Sequence, residues 1–124
     1  MMPIVLRKES ENKFPTLEIL VIEDEKLLGE YHLKCFRSIA INREYFYAAF
    51  KKIVSYRSGA GVPKMLIDTA ANEIGKISEE FQEEVVHSVA LEIKAVREKL
   101  GKYFINQGYT QKGIIYLEKK FNPN

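Results

Sequence analysis

The spacing of apolar residues divides the chain into a short N-terminal part with period-two alternation and a longer part with helical spacing. Residues 17–22 are all apolar except Glu18, which favours a buried strand. Over 27–36 the odd positions carry apolar residues or glycine, whereas most even positions are polar, as in a half-buried strand. The charged residues 23–26 then form the turn of a β-hairpin, although they lack the Asn-Gly or Asp-Gly pair of the strongest hairpin turns.

A helix over 27–36 stays open as the alternative. It would gather Leu27, Leu28 and Tyr31 on one side, together with residues 35 and 36. It would also leave Leu33 outside and place Gly29 inside the helix, where glycine costs about 1 kcal/mol relative to alanine. The strand is therefore the favoured interpretation.

Three helices are predicted after residue 42, over about 43–56, 64–76 and 79–106. Asn42 is a favourable N-cap for the first helix, and Ser78 is one for the third. The apolar residues that predict the first helix are Tyr45, Phe46, Ala49, Phe50, Ile53 and Val54. Those that form one face of the third are Phe81, Val85, Val89, Ile93, Val96, Leu100 and Phe104.

The predicted fold class is a single α+β domain over 1–124. A small N-terminal antiparallel hairpin or meander packs against the three helices, and 113–121 adds a short strand or helix, which periodicity does not distinguish. Small sheets leave unpaired edge strands, which bind other strands readily. A helix over 79–106 would be about 42 Å long by its rise of ~1.5 Å per residue, longer than a domain of this size needs. Both features predict a symmetric homodimer.

The composition of the chain excludes several classes of protein but says little about its activity. The 124 residues are 46% hydrophobic and 29% charged with a net charge of +2, values of an ordinary globular domain. Cys35 is the only cysteine, which excludes an intramolecular disulfide and a cysteine-based metal knuckle. No apolar run approaches the length of a membrane span or a signal peptide. These properties predict a cytoplasmic protein without a membrane partner.

The segment 43–64 concentrates positive charge. It carries five cationic side chains against the single carboxylate of Glu44, together with several aromatic residues. Cations bind phosphates and aromatic rings stack on unpaired bases, so this segment predicts nucleic-acid binding as an alternative function. The residues proposed for that contact are Arg43, Tyr47, Lys51, Lys52, Arg57 and Lys64.

A second alternative rests on acidic residues that follow the apolar run. Glu23 and Asp24 come directly after it, Asp68 lies 44 residues beyond Asp24, and Lys119 lies a further 51 residues on. This arrangement resembles the receiver domain of response regulators. The resemblance implies that Asp24 helps to hold Mg²⁺, that Asp68 accepts a phosphoryl group and that Lys119 neutralises its charge.

Other features of the sequence give weaker support for a functional site. Glu84 and His87 have the Glu-x-x-His spacing of helical metal sites, but a second copy is absent, so no metal is predicted. The glycine-containing stretch 57–64 lacks the spacing of a Walker loop and follows no clear strand, so it is interpreted as a connection between helices. Cys35 is expected to be a small core residue.

The sequence therefore predicts a non-catalytic binding or adaptor protein. It would act through a protein interface, as a homodimer that binds an unknown protein partner. No enzymatic activity and no cofactor are predicted. Nucleic-acid binding through 43–64 is the alternative, and the receiver-like site is a less favoured one.

Overall fold

The computed structural model describes residues 4–11, 14–57 and 61–124, and it arranges them as one seven-stranded sheet with two helices. The strands are β1 (Ile4–Glu11), β2 (Phe14–Glu23), β3 (Lys26–Ala40), β4 (Arg43–Ser55), β5 (Val85–Ala90), β6 (Thr110–Gln111) and β7 (Tyr116–Phe121). The helices are α1 (Val62–Phe81) and α2 (Lys94–Asn106).

The strand order in the sheet is β1-β2-β3-β4-β5-β7-β6, and all neighbours are antiparallel except β4 and β5. Parallel neighbours need a crossover, which α1 supplies between these two strands. The turn between β2 and β3 has positive φ at Asp24 and Glu25, 51° and 63°, as in a two-residue type I′ hairpin turn. Residues 27–36 thus lie in strand β3. Within 113–121, for which a strand and a helix were left open, Tyr116–Phe121 form strand β7.

The helix predicted over 43–56 is wrong, because these residues form β4. Apolar side chains occupy both faces of this strand, and a two-sided apolar pattern matches helical spacing by coincidence. Phe46 and Ala48 are buried on the face that packs against α1, whereas Tyr45 and Tyr47 lie on the other face. Asn42 is not an N-cap. It follows Ile41 in a tight turn with φ of 61° and 50° that connects β3 to β4.

The helix predicted over 79–106 is also wrong, because β5 interrupts it. Helix α1 instead continues through Ser78 to Phe81 and is followed by the β-branched run of β5. The hydroxyl oxygen of Ser78 lies 2.7 and 3.0 Å from the carbonyl oxygens of Glu83 and Phe121, which share its single proton. Ser78 therefore joins the end of α1 to the sheet instead of capping a helix.

The predicted fold class, a small hairpin packed against three helices, is therefore replaced by a mixed seven-stranded sheet with two helices. The homodimer stays a prediction. The long helix no longer supports it, and only the sheet edge at β1 still does. Among the helices that the structure describes, none has the length and apolarity to cross a membrane. The cytoplasmic location stays a prediction.

The core lies between α1 and one face of the sheet. Helix α1 buries Leu66, Ile67, Ala70 and Ile74 against inward side chains of the central strands, including Tyr31. Helix α2 packs beside α1, where Tyr103 donates to Asp68 at 2.6 Å. No helix within 4–11, 14–57 and 61–124 covers the opposite face of the sheet, which we denote the helix-free face.

Gly29 lets the start of α1 approach strand β3. A Cβ atom at this position would overlap Cγ1 of Val62 and lie 3.0 Å from the carbonyl oxygen of Val54. Gly29→Ala is therefore expected to lower the free energy of unfolding by about 1–3 kcal/mol in a urea titration. Gly75→Ala is the matched control, because a Cβ at Gly75 in α1 meets no atom within 4 Å. An alanine there is expected to be neutral or stabilising, and equal losses at both sites would contradict the close approach.

Candidate active site

Strands β4 and β5 pair along only four residues and then separate. Phe46–Ala49 of β4 pair with Val85–Ser88 of β5, after which β4 continues to Ser55. Beyond Ala49, no strand among the described residues pairs with β4 on the side of β5. Strand edges of this kind bind extended ligands by adding a strand-like segment to the sheet.

A cleft of 380 Å³ fills the space where the two strands part. Its walls come from β4, from the end of β5 and from the first turn of α2. Apolar side chains such as Phe50, Ile53 and Val96 line it together with the charged Lys51 and Lys52. The cleft is therefore shaped for a long, mostly apolar ligand that runs along β4.

A β-bulge distorts β4 beside this cleft. In the pairing with β3, Phe50 lies opposite Leu33 and Lys52 lies opposite His32, so Lys51 is the extra residue. Bulges bend a strand and leave one residue outside the ladder of hydrogen bonds, and they are common next to active sites. Lys51 thus lies outside the regular β3–β4 pairing and also lines the cleft.

A second cleft, of 630 Å³, lies where β4 ends, at the N-terminus of α1. Gly61 caps the helix with φ of 72°, Pro63 lies in its first turn, and that turn carries no acidic residue. Helix N-termini attract anions through their free N–H groups. Three cations, Arg57, Lys64 and Lys99, line this cleft, and no carboxylate is among its described lining residues. Arg57 also pairs with Glu23 at 3.6 Å.

This second cleft corrects the interpretation of 57–64 as a plain connection between helices. The segment follows strand β4 and opens helix α1, an arrangement that favours a phosphate contact. Residues 58–60 lie outside the described residues, so the assignment rests on Arg57, Gly61 and Lys64. Lys99 was missed because it comes from α2, far along the sequence.

A polar cluster lies on the helix-free face beside the bulge. Glu30 of β3 accepts hydrogen bonds from Tyr56 at 2.8 Å and from Nε2 of His32 at 2.6 Å, and Nζ of Lys52 is 3.1 Å away. The bond from Tyr56, supported by His32 and Lys52, lowers the pKa of Glu30 to about 2 against the opposing effect of burial. Glu30 is therefore ionised at neutral pH and holds the side chains of Tyr56, His32 and Lys52 around it.

A second cluster is buried under the last β4–β5 pairs. His87 of β5 bonds through Nε2 to the hydroxyl of Tyr31 at 2.9 Å and through Nδ1 to that of Tyr109 at 2.5 Å. A neutral imidazole has one donor and one acceptor nitrogen, so both are satisfied. Burial, with a smaller contribution from Lys119, lowers the pKa of His87 to about 3. His87 is thus a neutral structural residue.

The residues predicted to bind nucleic acid spread along β4 and the start of α1. Arg43 stacks over Tyr45 at 4.7 Å, and Tyr47 lies half-buried on the helix-free face. Lys51 and Lys52 are exposed beside the bulge. The structure therefore does not gather the six residues at one place. Arg57 and Lys64 sit apart from the others, at the start of α1.

The receiver-like residues lie on three separate elements. Asp24 is in the β2–β3 turn, Asp68 in the middle of α1 and Lys119 on β7, so the parallel-sheet site that the resemblance implies is not formed. The described residues contain no group of three His, Cys, Asp or Glu side chains that could hold a metal ion. Burial raises the pKa of Cys35 to about 12, as expected for a thiol in the core.

Solved structures of similar fold include two toxin–antitoxin systems. A chain of the KacTA–DNA complex is 15% identical and superposes with a TM-score of 0.65 over 85% of this chain and 67% of its own. The AtaT Y144F mutant toxin, bound to the C-terminus of the antitoxin AtaR and to acetyl-CoA, is 17% identical. It has a TM-score of 0.61 over 86% of this chain and 68% of its own. No family model and no curated protein matches the sequence.

These likenesses establish the fold and overturn the prediction of a non-catalytic protein. The finding that contradicts it is the AtaT toxin, a chain of similar fold that is bound to acetyl-CoA. The predicted binding role agrees in part, since both solved structures are complexes, one with DNA and one with a piece of an antitoxin.

Proposed function

We propose that this protein is an acyltransferase that takes its acyl group from acetyl-CoA. One observation carries the proposal: the parallel β4–β5 pair opens into a cleft, and Ile53 and Val96 of its lining also line the second cleft at the N-terminus of α1. The AtaT toxin, which has the same fold, is bound to acetyl-CoA, and this supports the choice of ligand.

The two clefts suit the two ends of acetyl-CoA. The phosphates belong beside α1, where the helix N-terminus and the cations Arg57, Lys64 and Lys99 provide positive charge. The pantetheine arm then runs back along the unpaired side of β4. From Arg57 to Lys51 a strand spans about 20 Å at a rise of ~3.3 Å per residue, comparable to an extended pantetheine arm. We therefore expect the thioester to lie at the bulge.

The chemistry at the bulge is nucleophilic attack on the thioester. The acceptor forms a bond to the carbonyl carbon, the C–S bond breaks, and the sulfur leaves as a thiolate that is then protonated. An unpaired backbone N–H beside Lys51 can stabilise the negative charge that develops on the carbonyl oxygen. A bulged strand is suited to this task because its ladder bonds are already interrupted.

Titration calorimetry of the purified protein with acetyl-CoA tests the proposal. Acetyl-CoA and CoA are expected to bind with similar affinity, since most contacts lie along the arm and the phosphates. Pantetheine, which lacks the phosphates, is expected to bind much more weakly. Absence of any binding of acetyl-CoA at millimolar concentration would overturn the proposed function.

Nucleic-acid binding remains a second candidate. It is supported by the exposed Lys51 and Lys52 on β4, and the KacTA structure contains DNA. We expect fluorescence anisotropy with a labelled oligonucleotide to show affinity that falls steeply with salt. Lys51→Glu/Lys52→Glu is expected to lower the affinity by about tenfold or more and to flatten the salt dependence, because it removes about two phosphate contacts. Unchanged binding in this variant would exclude the candidate.

A protein partner also remains a proposal. The AtaT structure contains the C-terminus of an antitoxin, which supports a partner that contributes a short segment. The helix-free face and the edge at β1 are the surfaces that the fold leaves for such a contact.

A further inference from the structure

Where the β4–β5 pairing ends and the cleft begins, the side chains on the two faces of the sheet differ. On the core face Phe50 and Ile53 close off the site. On the helix-free face the last paired residues are Ala49 and Ser88, which are small and half-buried. An acceptor molecule therefore meets the least obstruction when it approaches the bulge over the helix-free face.

His32 lies next to the path by which an acceptor molecule would reach the bulge. It lies directly opposite Lys52 in the β3–β4 pairing, and Lys52 lines the cleft at the bulge. Directly opposed residues of antiparallel strands have Cβ atoms about 5 Å apart. The imidazole is one quarter exposed, so it is held by the protein and still reached from outside.

The hydrogen bond to Glu30 fixes which nitrogen of His32 carries a proton. An ionised carboxylate only accepts hydrogen bonds, so Nε2, at 2.6 Å from Oε1, must be the donor. In the neutral ring Nδ1 then has a free lone pair, and the hydrogen bonds of the described residues leave it without a partner. Glu30 is itself held by Tyr56 and Lys52, so the pair is rigid. This is the arrangement of an oriented general base.

We infer that His32, oriented by Glu30, is the general base that removes a proton from an amine acceptor arriving over the helix-free face. The inference rests on the proposed acyl transfer. The amine nitrogen bonds to the thioester carbonyl carbon while its proton passes to Nδ1 of His32. The C–S bond breaks, the thiolate takes up a proton, and the products are an amide and CoA. Glu30 is a positioning residue that stabilises the imidazolium formed in this step.

The test compares His32→Gln with the unmodified protein. Glycinamide serves as a primary-amine probe with acetyl-CoA, and a thiol reagent follows the release of CoA across a pH series. His32→Gln is expected to slow the release by about 100-fold while acetyl-CoA affinity by calorimetry stays unchanged. Glu30→Gln is expected to retain part of the rate with an altered pH profile. Lys34→Gln, on the same face two residues along β3, is the control and is expected to keep the rate.

The outcomes separate this inference from the proposed function. Loss of rate in His32→Gln at unchanged affinity supports the inference. Equal rates in the two proteins, whether fast or at the uncatalysed level, would overturn it while leaving acetyl-CoA binding intact. Failure of the unmodified protein to bind acetyl-CoA in calorimetry would instead overturn the proposed function itself.

Discussion

Reversing the charge of both Lys64 and Lys99 is expected to weaken acetyl-CoA binding by about 30- to 100-fold, or roughly 2–3 kcal/mol. Both side chains line the cleft at the N-terminus of α1, and no carboxylate is among the described residues that line it. Lys64→Glu/Lys99→Glu would place two negative charges beside the phosphates of the ligand. Titration calorimetry at low salt measures the effect, which should shrink as added salt screens the charges.

The matched control for this pair is Lys102→Glu. Lys102 lies on α2 within one turn of Lys99 and lines a different cavity, on the side of β7. Its reversal is expected to change the affinity less than about threefold at ~0.15 M salt, because its side chain lines the other cavity and its charge reaches the phosphates only through solvent. If Lys102→Glu weakens binding as much as the pair does, the phosphates do not bind beside α1. Pantetheine, without phosphates, should be insensitive to all of these changes.

The stability of the protein is expected to fall as the pH drops below 6.5, because of His87. Burial lowers its pKa in the folded state from 6.5 to about 3. Between these values the unfolded chain binds one more proton than the folded one, so acid favours unfolding. The slope approaches 1.4 kcal/mol per pH unit, which amounts to about 2–3 kcal/mol between pH 6.5 and 4.5. Urea titrations at a series of pH values measure this loss.

His87→Gln isolates the contribution of the imidazole. Glutamine offers one donor and one acceptor towards Tyr31 and Tyr109, yet it does not titrate. The variant is expected to be less stable at pH 7 and to show a smaller slope between pH 6.5 and 4.5. Glu30, whose pKa is lowered to about 2, contributes stability that is lost mainly below its ordinary value of 4.5, so it adds only about 0.4 kcal/mol to the loss within this window. Identical slopes in the two proteins would show that His87 is not held neutral.

Much of the local structure was accessible to sequence reasoning. The alternation over 27–36 predicted a strand, and the structure places it in β3. The charged residues between the apolar runs do form a tight hairpin turn. In contrast, the residues of β4 were assigned to a helix because tyrosine and phenylalanine side chains occupy both of its faces. Local spacing does not separate a strand that is apolar on two sides from an amphipathic helix.

The candidate site was only partly predictable. Lys51, Lys52, Arg57 and Lys64 were recognised as a concentration of cations, although nucleic acid was the ligand considered. Lys99 was missed because it comes from another element of the fold. The Glu30–His32 pair was missed too. Side chains two residues apart lie on the same face of a strand, so the pair could be recognised only once these residues were treated as a strand and examined for contacts.

The sequence by itself determined the elements with strong local signals: strand β3, the turn before it and the burial of Cys35. Only the tertiary structure decided that β4 pairs in parallel with β5 for four residues and then separates from it. It also decided that α1 begins close to the cleft that this separation forms. The physical reason is the range of the interactions. A turn or an alternating strand reflects neighbours in sequence, whereas the cleft depends on residues such as Ala48 and His87, which meet across the sheet although 39 positions separate them.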